Sequence, residues 1–172
     1  MNSLNINNIL RFVLLIIAQA LVFNHINFMG SINPYPYVFF ILMFPVKKNR
    51  TAFIFISFML GLFVDFFSDS GGVHAAASVT IAYLRPPVLK FSFGMMYENH
   101  NIKFSNTEIS NRILYFTVLI VIHHLLMFTL EIFNMAKVIL ILQKTLFSSI
   151  FTIILCILIS VIFNNKRRWE SY

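Results

Sequence analysis

The chain has 172 residues, of which 59% are apolar and 11% charged, with a net charge of +7. A water-soluble domain carries about a quarter charged residues, so this composition excludes that class. Apolar runs long enough to cross a bilayer recur without strict alternation, which predicts an all-α integral membrane protein with one polytopic domain over residues 1–172. The basic residues are scattered at the ends of these runs, which indicates helix orientation and excludes nucleic-acid binding.

The apolar runs predict about six transmembrane helices. The first covers about Ile9 to Met29. Its Ala18-Gln19-Ala20 triplet offers the alternative of a cleaved signal, but the run continues past the triplet, which favours a retained span. Tyr35 to Val46 is short for a span, and is either a tilted helix or a re-entrant segment. The later spans are about Thr51 to Phe67, Val73 to Leu84, Ile113 to Phe133, and Val138 to Phe163. Pro86-Pro87 is predicted to interrupt the fourth span, and the alternative is a continuation over Val88 to Met96 beyond a kink.

Lysine and arginine in short loops set the orientation of membrane helices, because they remain on the cytoplasmic side. Six crossings leave Lys137 alone on the outer side of the membrane. The sequence therefore predicts a multi-pass membrane protein with both termini in the cytoplasm. The basic residues that this topology places on the cytoplasmic side are Lys47, Lys48, Arg50, Lys90, Lys103, Arg112, Lys166, Arg167 and Arg168.

The stretch Gly61 to Pro86 concentrates ionisable residues among apolar ones, and such groups are costly at membrane depth. Asp65 lies about one turn from the outer end of its span, and Asp69 follows four residues later. The residues from Ser68 to Gly72 are able to cap the next helix. One interpretation is a polar turn that ties two helices together. The other is a proton or ion site built from Asp65, Asp69 and His74, which is less favoured so close to the interface.

His74 opens the next span, and no second histidine or cysteine stands at a metal-ligand spacing from it. We therefore expect a hydrogen-bonded or interfacial histidine. Ala75, Ser78 and Ala82 fall on one stripe of the same helix. Small residues let membrane helices approach closely. We expect the stripe to pack within the protein, with a helix of a partner protein as the alternative.

Arg85 precedes two prolines, Pro86 and Pro87, and each proline removes a backbone donor. The carbonyl groups of Ala82 and Tyr83 are thereby freed, and in lipid they need partners. Arg85 has the donors to bond them, or the length to reach the cytoplasmic surface. The favoured interpretation is a helix end with an anchoring arginine. The alternative is a kinked helix that presents Arg85 to a partner or a lipid phosphate.

Other polar residues within the apolar runs give weaker signals. His123 and His124 are adjacent, and neighbouring side chains point about 100° apart on a helix, so they do not form a bidentate site. Glu131 and Lys137 flank the short outer turn and are expected to pair weakly, while Lys144 is expected to extend outward. The chain has no nucleotide-binding loop and no hydrolase motif, so we predict no catalytic residue, cofactor or metal.

Four motifs carry a resemblance to a known family. They are Asn33-Pro34-Tyr35-Pro36-Tyr37 with Pro45, Gly61 to Asp69, Gly72 to Ser78, and Tyr83-Leu84-Arg85-Pro86. With these motifs the chain resembles the rod shape-determining membrane proteins of the MreD family, most closely the version found in the Bacteroidetes. The likeness covers about Arg11 to Phe93, and Pro87 departs from it by doubling the proline.

The resemblance implies a non-enzymatic inner-membrane scaffold of the cell-elongation complex, acting in the regulation of cell shape and in lateral peptidoglycan synthesis. The implied partners are MreC, the MreB filament, a RodA-type glycosyltransferase and a class B penicillin-binding transpeptidase. The implied fold is similar to the six-helix substrate-binding subunit of energy-coupling-factor transporters. The resemblance carries over no catalytic residue. It implies structural or partner-binding roles for Asp65, Asp69, His74, Ala75, Ser78, Ala82, Arg85 and Pro86.

Two other functions remain open at this point. The first is a transporter-like small-molecule-binding protein, which rests on the fold analogy alone. Its pocket would be lined by Asn33, Tyr35, Asp65 and His74. The second is a membrane hydrolase that uses Asp65, Asp69 and His74, which the lack of a nucleophile motif makes the least favoured.

Overall fold

The computed structural model describes residues 3–26, 32–45, 49–94 and 107–169, and most of these residues are helical. The all-α prediction is confirmed. The α-helices in these ranges are α1 (Ser3–Leu21), α2 (Val38–Met43), α3 (Arg50–Ser68), α4 (Val73–Phe93), α5 (Ile109–Ile132) and α6 (Val138–Trp169). A short 3₁₀ turn, Phe23–His25, follows α1, and another, Met135–Lys137, precedes α6.

Four helices in the described ranges are long and apolar enough to cross a membrane, which fits a multi-pass membrane protein. Helix α4 has 21 residues, enough to span about 30 Å, but it carries Arg85 and Lys90. The four candidate spans are Asn8–His25, Arg50–Ser68, Ile109–Ile132 and Val138–Ile162.

The short predicted span between the first and third runs is a six-residue helix, α2. Six residues rise only about 9 Å, so α2 by itself is too short to cross a membrane. Residues Val38 to Leu42 are all buried, and α2 packs against α1, α4 and α5. A helix that is apolar on every side belongs in a protein interior. We call residues Tyr35 to Phe44, which include α2, the core segment.

The longer helices pack in pairs in chain order: α1 against α3, α3 against α4, α4 against α5, and α5 against α6. The end of α1 lies beside the end of α3, because Asn24 Nδ2 donates to Ser68 Oγ at 2.9 Å. Earlier along both helices the rings of Phe12 and Phe63 lie 6.1 Å apart, so α1 and α3 run in the same direction and the chain between them has to return. Large apolar side chains on the outer faces of α1 and α6 are exposed, as lipid-facing residues are.

The predicted interruption of α4 at Pro86-Pro87 is wrong. The helix continues through both prolines to Phe93, and ends at Gly94, whose φ is +50°. The predicted continuation beyond the prolines is thus confirmed as far as the described residues reach. Predictions for Lys47, Lys48 and Lys103, and for the side chains of Lys166, Arg167 and Arg168, lie outside what the structure describes.

Candidate functional site

Asp65, near the end of α3, joins that helix to α4. Its carboxylate is buried and accepts hydrogen bonds from the backbone N–H groups of His74, at 2.9 Å, and Ala75, at 2.8 Å. The Ser70 hydroxyl donates a third bond at 2.6 Å. The first N–H groups of a helix have no partner within the helix, and they form the positive end of its dipole. Asp65 therefore caps α4 from the preceding helix.

The predicted capping group, Ser68 to Gly72, does not provide the cap. Gly72 occupies the N-cap position, where no side chain bonds the helix. Asp69 is exposed and ends α3 in a left-handed conformation, with φ +51°. Asp65 bonds the backbone of His74 rather than its ring, so the two aspartates and His74 are not arranged as one acid–base site. Of the two interpretations of this stretch, the structure therefore shows the first, a polar turn that ties α3 to α4.

Helices α3 and α4 approach very closely beyond this turn. A Cβ atom built on Gly61 would lie 2.5 Å from the Ala75 Cα and 2.5 Å from the His74 carbonyl oxygen. Ala75, Ser78 and Ala82 are all buried, so the small-residue stripe packs within the protein as expected. Close backbone approach at small residues is the usual means by which membrane helices associate.

Tyr37, in the core segment, connects α4 to α5. Its hydroxyl oxygen lies 3.0 Å from His74 Nδ1 and 2.8 Å from His123 Nε2. All three side chains are buried. A hydroxyl carries one proton, so Tyr37 donates to one imidazole and accepts from the other. The result is a continuous hydrogen-bonded chain through three elements of the protein.

A second chain of hydrogen bonds connects the core segment to α6. The Tyr35 N–H donates to Thr152 Oγ1 at 3.0 Å, and Thr152 Oγ1 lies 3.3 Å from His124 Nε2. His124 Nδ1 lies 2.8 Å from the Ile120 carbonyl oxygen. Because a carbonyl only accepts, Nδ1 carries the proton, and Nε2 of the neutral ring accepts from the Thr152 hydroxyl. Every proton of this chain is thereby assigned.

His123 and His124 diverge as expected, one toward Tyr37 and the other toward Thr152. Sequence reasoning missed both of these partners. The sequence signal from which Tyr37 could have been found is the alternation of proline and tyrosine from Pro34 to Tyr37. Within the described part of the chain, no group of three or more histidine, cysteine, aspartate or glutamate residues is placed to hold a metal ion.

Arg85 holds the other end of the core segment. Its Nε donates to the Tyr115 hydroxyl at 2.8 Å, and its Nη2 donates to the carbonyl oxygens of Leu42, at 3.2 Å, and Phe44. The guanidinium carbon lies 5.0 Å from the centre of the Phe53 ring, in a cation–π contact. The last carbonyls of a helix lack internal partners and form the negative end of its dipole. Arg85 therefore caps α2.

The structure contradicts the surface-anchoring and lipid-phosphate roles considered for Arg85, and it gives the residue a structural role instead. Only 3% of the residue is exposed, so it neither anchors the helix at the surface nor faces a lipid phosphate. The carbonyl of Tyr83, freed by Pro87, instead accepts a bond from Arg50 Nη2 at 3.3 Å. The physical reason is that the carbonyls at the end of α2 lie in the protein interior, where they need a donor that water does not supply.

The expected pair of Glu131 with Lys137 is also wrong. Glu131 Oε1 lies 3.2 Å from Lys144 Nζ, and this nitrogen lies 5.4 Å from the centre of the Phe128 ring. Lys144, on α6, thus pairs with the Glu131 carboxylate, and Lys137 is exposed. Both partners are partly exposed, so the pair is of low energetic worth.

Buried polar residues thus form one set of contacts at each end of the core segment. The first set joins Tyr35 and Tyr37 to α4, α5 and α6, and the second joins Leu42 and Phe44 to α4 and α5. Such networks make a fold rigid when their members are bonded. Comparisons with protein-family models, curated proteins and solved structures found no match to the chain.

Proposed function

We propose that this protein is a non-enzymatic scaffold of the bacterial inner membrane, related to the MreD family and acting in the cell-elongation complex. The observation that carries the proposal is the use of the polar residues in the family-like motifs. Asp65 caps α4, Tyr37 joins α4 to α5, and Arg85 caps α2. Residues used in this way give a membrane protein a fixed shape, and a fixed shape is what a scaffold offers its partners.

The proposed partners are MreC, the MreB filament, a RodA-type glycosyltransferase and a class B penicillin-binding transpeptidase. With these partners the protein would organise lateral peptidoglycan synthesis and so regulate cell shape. We expect MreC to bind near the turn between α3 and α4, since the family-like motifs are concentrated there.

The proposed topology has six crossings with both termini in the cytoplasm, and a fold similar to the substrate-binding subunit of energy-coupling-factor transporters. Its support is the course of the core segment. Tyr37 contacts His74 near the start of α4, and Leu42 contacts Arg85, eleven residues further along that helix. The core segment therefore runs along α4 and returns the chain from the end of α1 toward the start of α3.

The alternative, a transporter-like small-molecule binder, has less support. Its pocket would use Asn33, Tyr35, Asp65 and His74. The ring of Tyr35 packs against His74 with the centroids 5.3 Å apart, and both Asp65 carboxylate oxygens accept bonds from the start of α4. Side chains that are already bonded in this way have little capacity left for a ligand.

The test is a pull-down of the tagged protein from native membranes, with quantitative mass spectrometry, and an unrelated polytopic membrane protein as the control bait. We expect MreC and the wall synthases to be enriched over the control. An Asp65→Ala variant should lower both the protein level and the amount of MreC recovered, because α4 loses its cap. Enrichment of transporter ATPases instead of MreC would contradict the scaffold and favour the alternative.

A further inference from the structure

Arg50 and Tyr83 form an exposed platform at the start of the second candidate span. Arg50 is the first residue of α3, and its guanidinium carbon lies 4.8 Å above the centre of the Tyr83 ring on α4. Its Nη2 also donates to the Tyr83 backbone carbonyl at 3.3 Å. Arg50 is exposed, and Tyr83 is 60% exposed. One residue of α4 thus holds the arginine by its ring and by its carbonyl.

Pro87 is the reason that the carbonyl is available. In a regular helix the N–H of residue 87 would bond the Tyr83 carbonyl, but proline has no N–H. The second proline, which departs from the family-like motif, therefore creates the acceptor that Arg50 uses. The guanidinium is fixed in orientation before any ligand arrives, which lowers the entropic cost of binding.

The Arg50 guanidinium has N–H donors that the contacts with Tyr83 do not use. Among the described residues, Nε and Nη1 of Arg50 bond no acceptor. A guanidinium is always charged and bonds phosphate oxygens through several N–H groups. The residue stands at the end of a membrane span, Arg50–Ser68, which is the depth at which lipid headgroups lie. Phe55, five residues further into the span, is 61% exposed, as a lipid-facing side chain would be.

We infer that the Arg50–Tyr83 platform binds the phosphate group of an anionic phospholipid. The guanidinium donates to the phosphate oxygens, and the exposed ring of Tyr83 contacts the headgroup region, where amphipathic aromatic side chains are favoured. This inference does not depend on the scaffold function. It concerns a surface that neither the turn at Asp65 nor the core segment occupies.

The test uses the full-length protein in nanodiscs of phosphatidylcholine with a minor fraction of phosphatidylglycerol, and native mass spectrometry to count the retained phosphatidylglycerol. We expect Arg50→Gln to lower retention about tenfold, the effect of losing charge-assisted hydrogen bonds. Pro87→Ala should also lower retention, because the restored N–H competes for the Tyr83 carbonyl. Pro86→Ala is the matched control, since it restores a donor to Ala82 instead, and Lys137→Gln removes an exposed charge elsewhere.

Retention unchanged in Arg50→Gln would overturn the inference. So would an equal loss in Arg50→Gln and Lys137→Gln, which would mean that net charge alone attracts the lipid. If Arg50→Gln expresses poorly, Pro87→Ala and Pro86→Ala decide the question, because neither changes a charge. Equal retention in these two variants would show that the carbonyl does not position Arg50.

Discussion

Arg85 and Tyr115, on two different helices, both donate a hydrogen bond to the carbonyl oxygen of Leu42, at 3.2 and 3.0 Å. The same two helices hold the other end of the core segment, where His74 of α4 and His123 of α5 bond the Tyr37 hydroxyl. A six-residue helix is not stable by itself. Helix α2 persists because α4 and α5 bond the core segment at both of its ends.

Arg85→Ala should destabilise the protein by about 2–5 kcal/mol, because it leaves the carbonyls of Leu42 and Phe44 buried without this donor. We expect a lower thermal unfolding temperature in detergent, measured by intrinsic fluorescence. Millimolar guanidinium should restore part of the loss by binding the vacated position. Lys137→Ala, on the exposed outer turn, is the control and should change little.

An Arg85→Ala protein as stable as the wild type would contradict the capping role. The variant could also be folded but less stable, with neither guanidinium nor methylguanidinium restoring the loss. That result would show that the packing of the long side chain matters more than its hydrogen bonds.

Tyr37→Phe should destabilise the protein by about 2–6 kcal/mol. The substitution keeps the ring but leaves His74 Nδ1 and His123 Nε2 buried without their partner, and each unsatisfied group costs about 1–3 kcal/mol. Unfolding temperature and hydrogen exchange in α5 report the change. Tyr83→Phe, at an exposed ring, is the matched control, and an equal effect of the two substitutions would contradict the proposed role of the Tyr37 hydroxyl.

The fold class and the approximate position of most helices followed from the sequence, because long apolar runs leave few alternatives in a membrane. The polar turn at Asp65 was the favoured of two interpretations, but the cap was expected from the residues between Ser68 and Gly72 rather than from Asp65, nine residues before His74. The hydrogen-bond partners of Tyr37 and Arg85 did not follow from the sequence. They lie 86 and 43 residues away along the chain, and no local pattern encodes which helix faces which. The proline-freed carbonyl was predicted, but its donor came from Arg50 on another helix.

Gly61→Ala tests the close contact of α3 and α4, and two effects oppose each other at this position. Alanine is favoured over glycine inside a helix by about 1 kcal/mol, which would stabilise α3. The added Cβ, however, would lie 2.5 Å from the Ala75 Cα and the His74 oxygen, which are backbone atoms that cannot turn aside. Overpacking of this kind costs about 1–3 kcal/mol, so we expect net destabilisation.

The contact at Gly61 also positions the cap of α4, because Asp65 lies one turn further along α3 and bonds the N–H of Ala75. Separation of the two helices should therefore lengthen that bond and increase hydrogen exchange at the first turn of α4. Leu62→Ala, at the neighbouring exposed position, removes more side-chain volume but should leave this exchange unchanged. A stabilised Gly61→Ala protein with normal protection of α4 would mean that the two helices separate at little cost, and that their close packing does not position the cap.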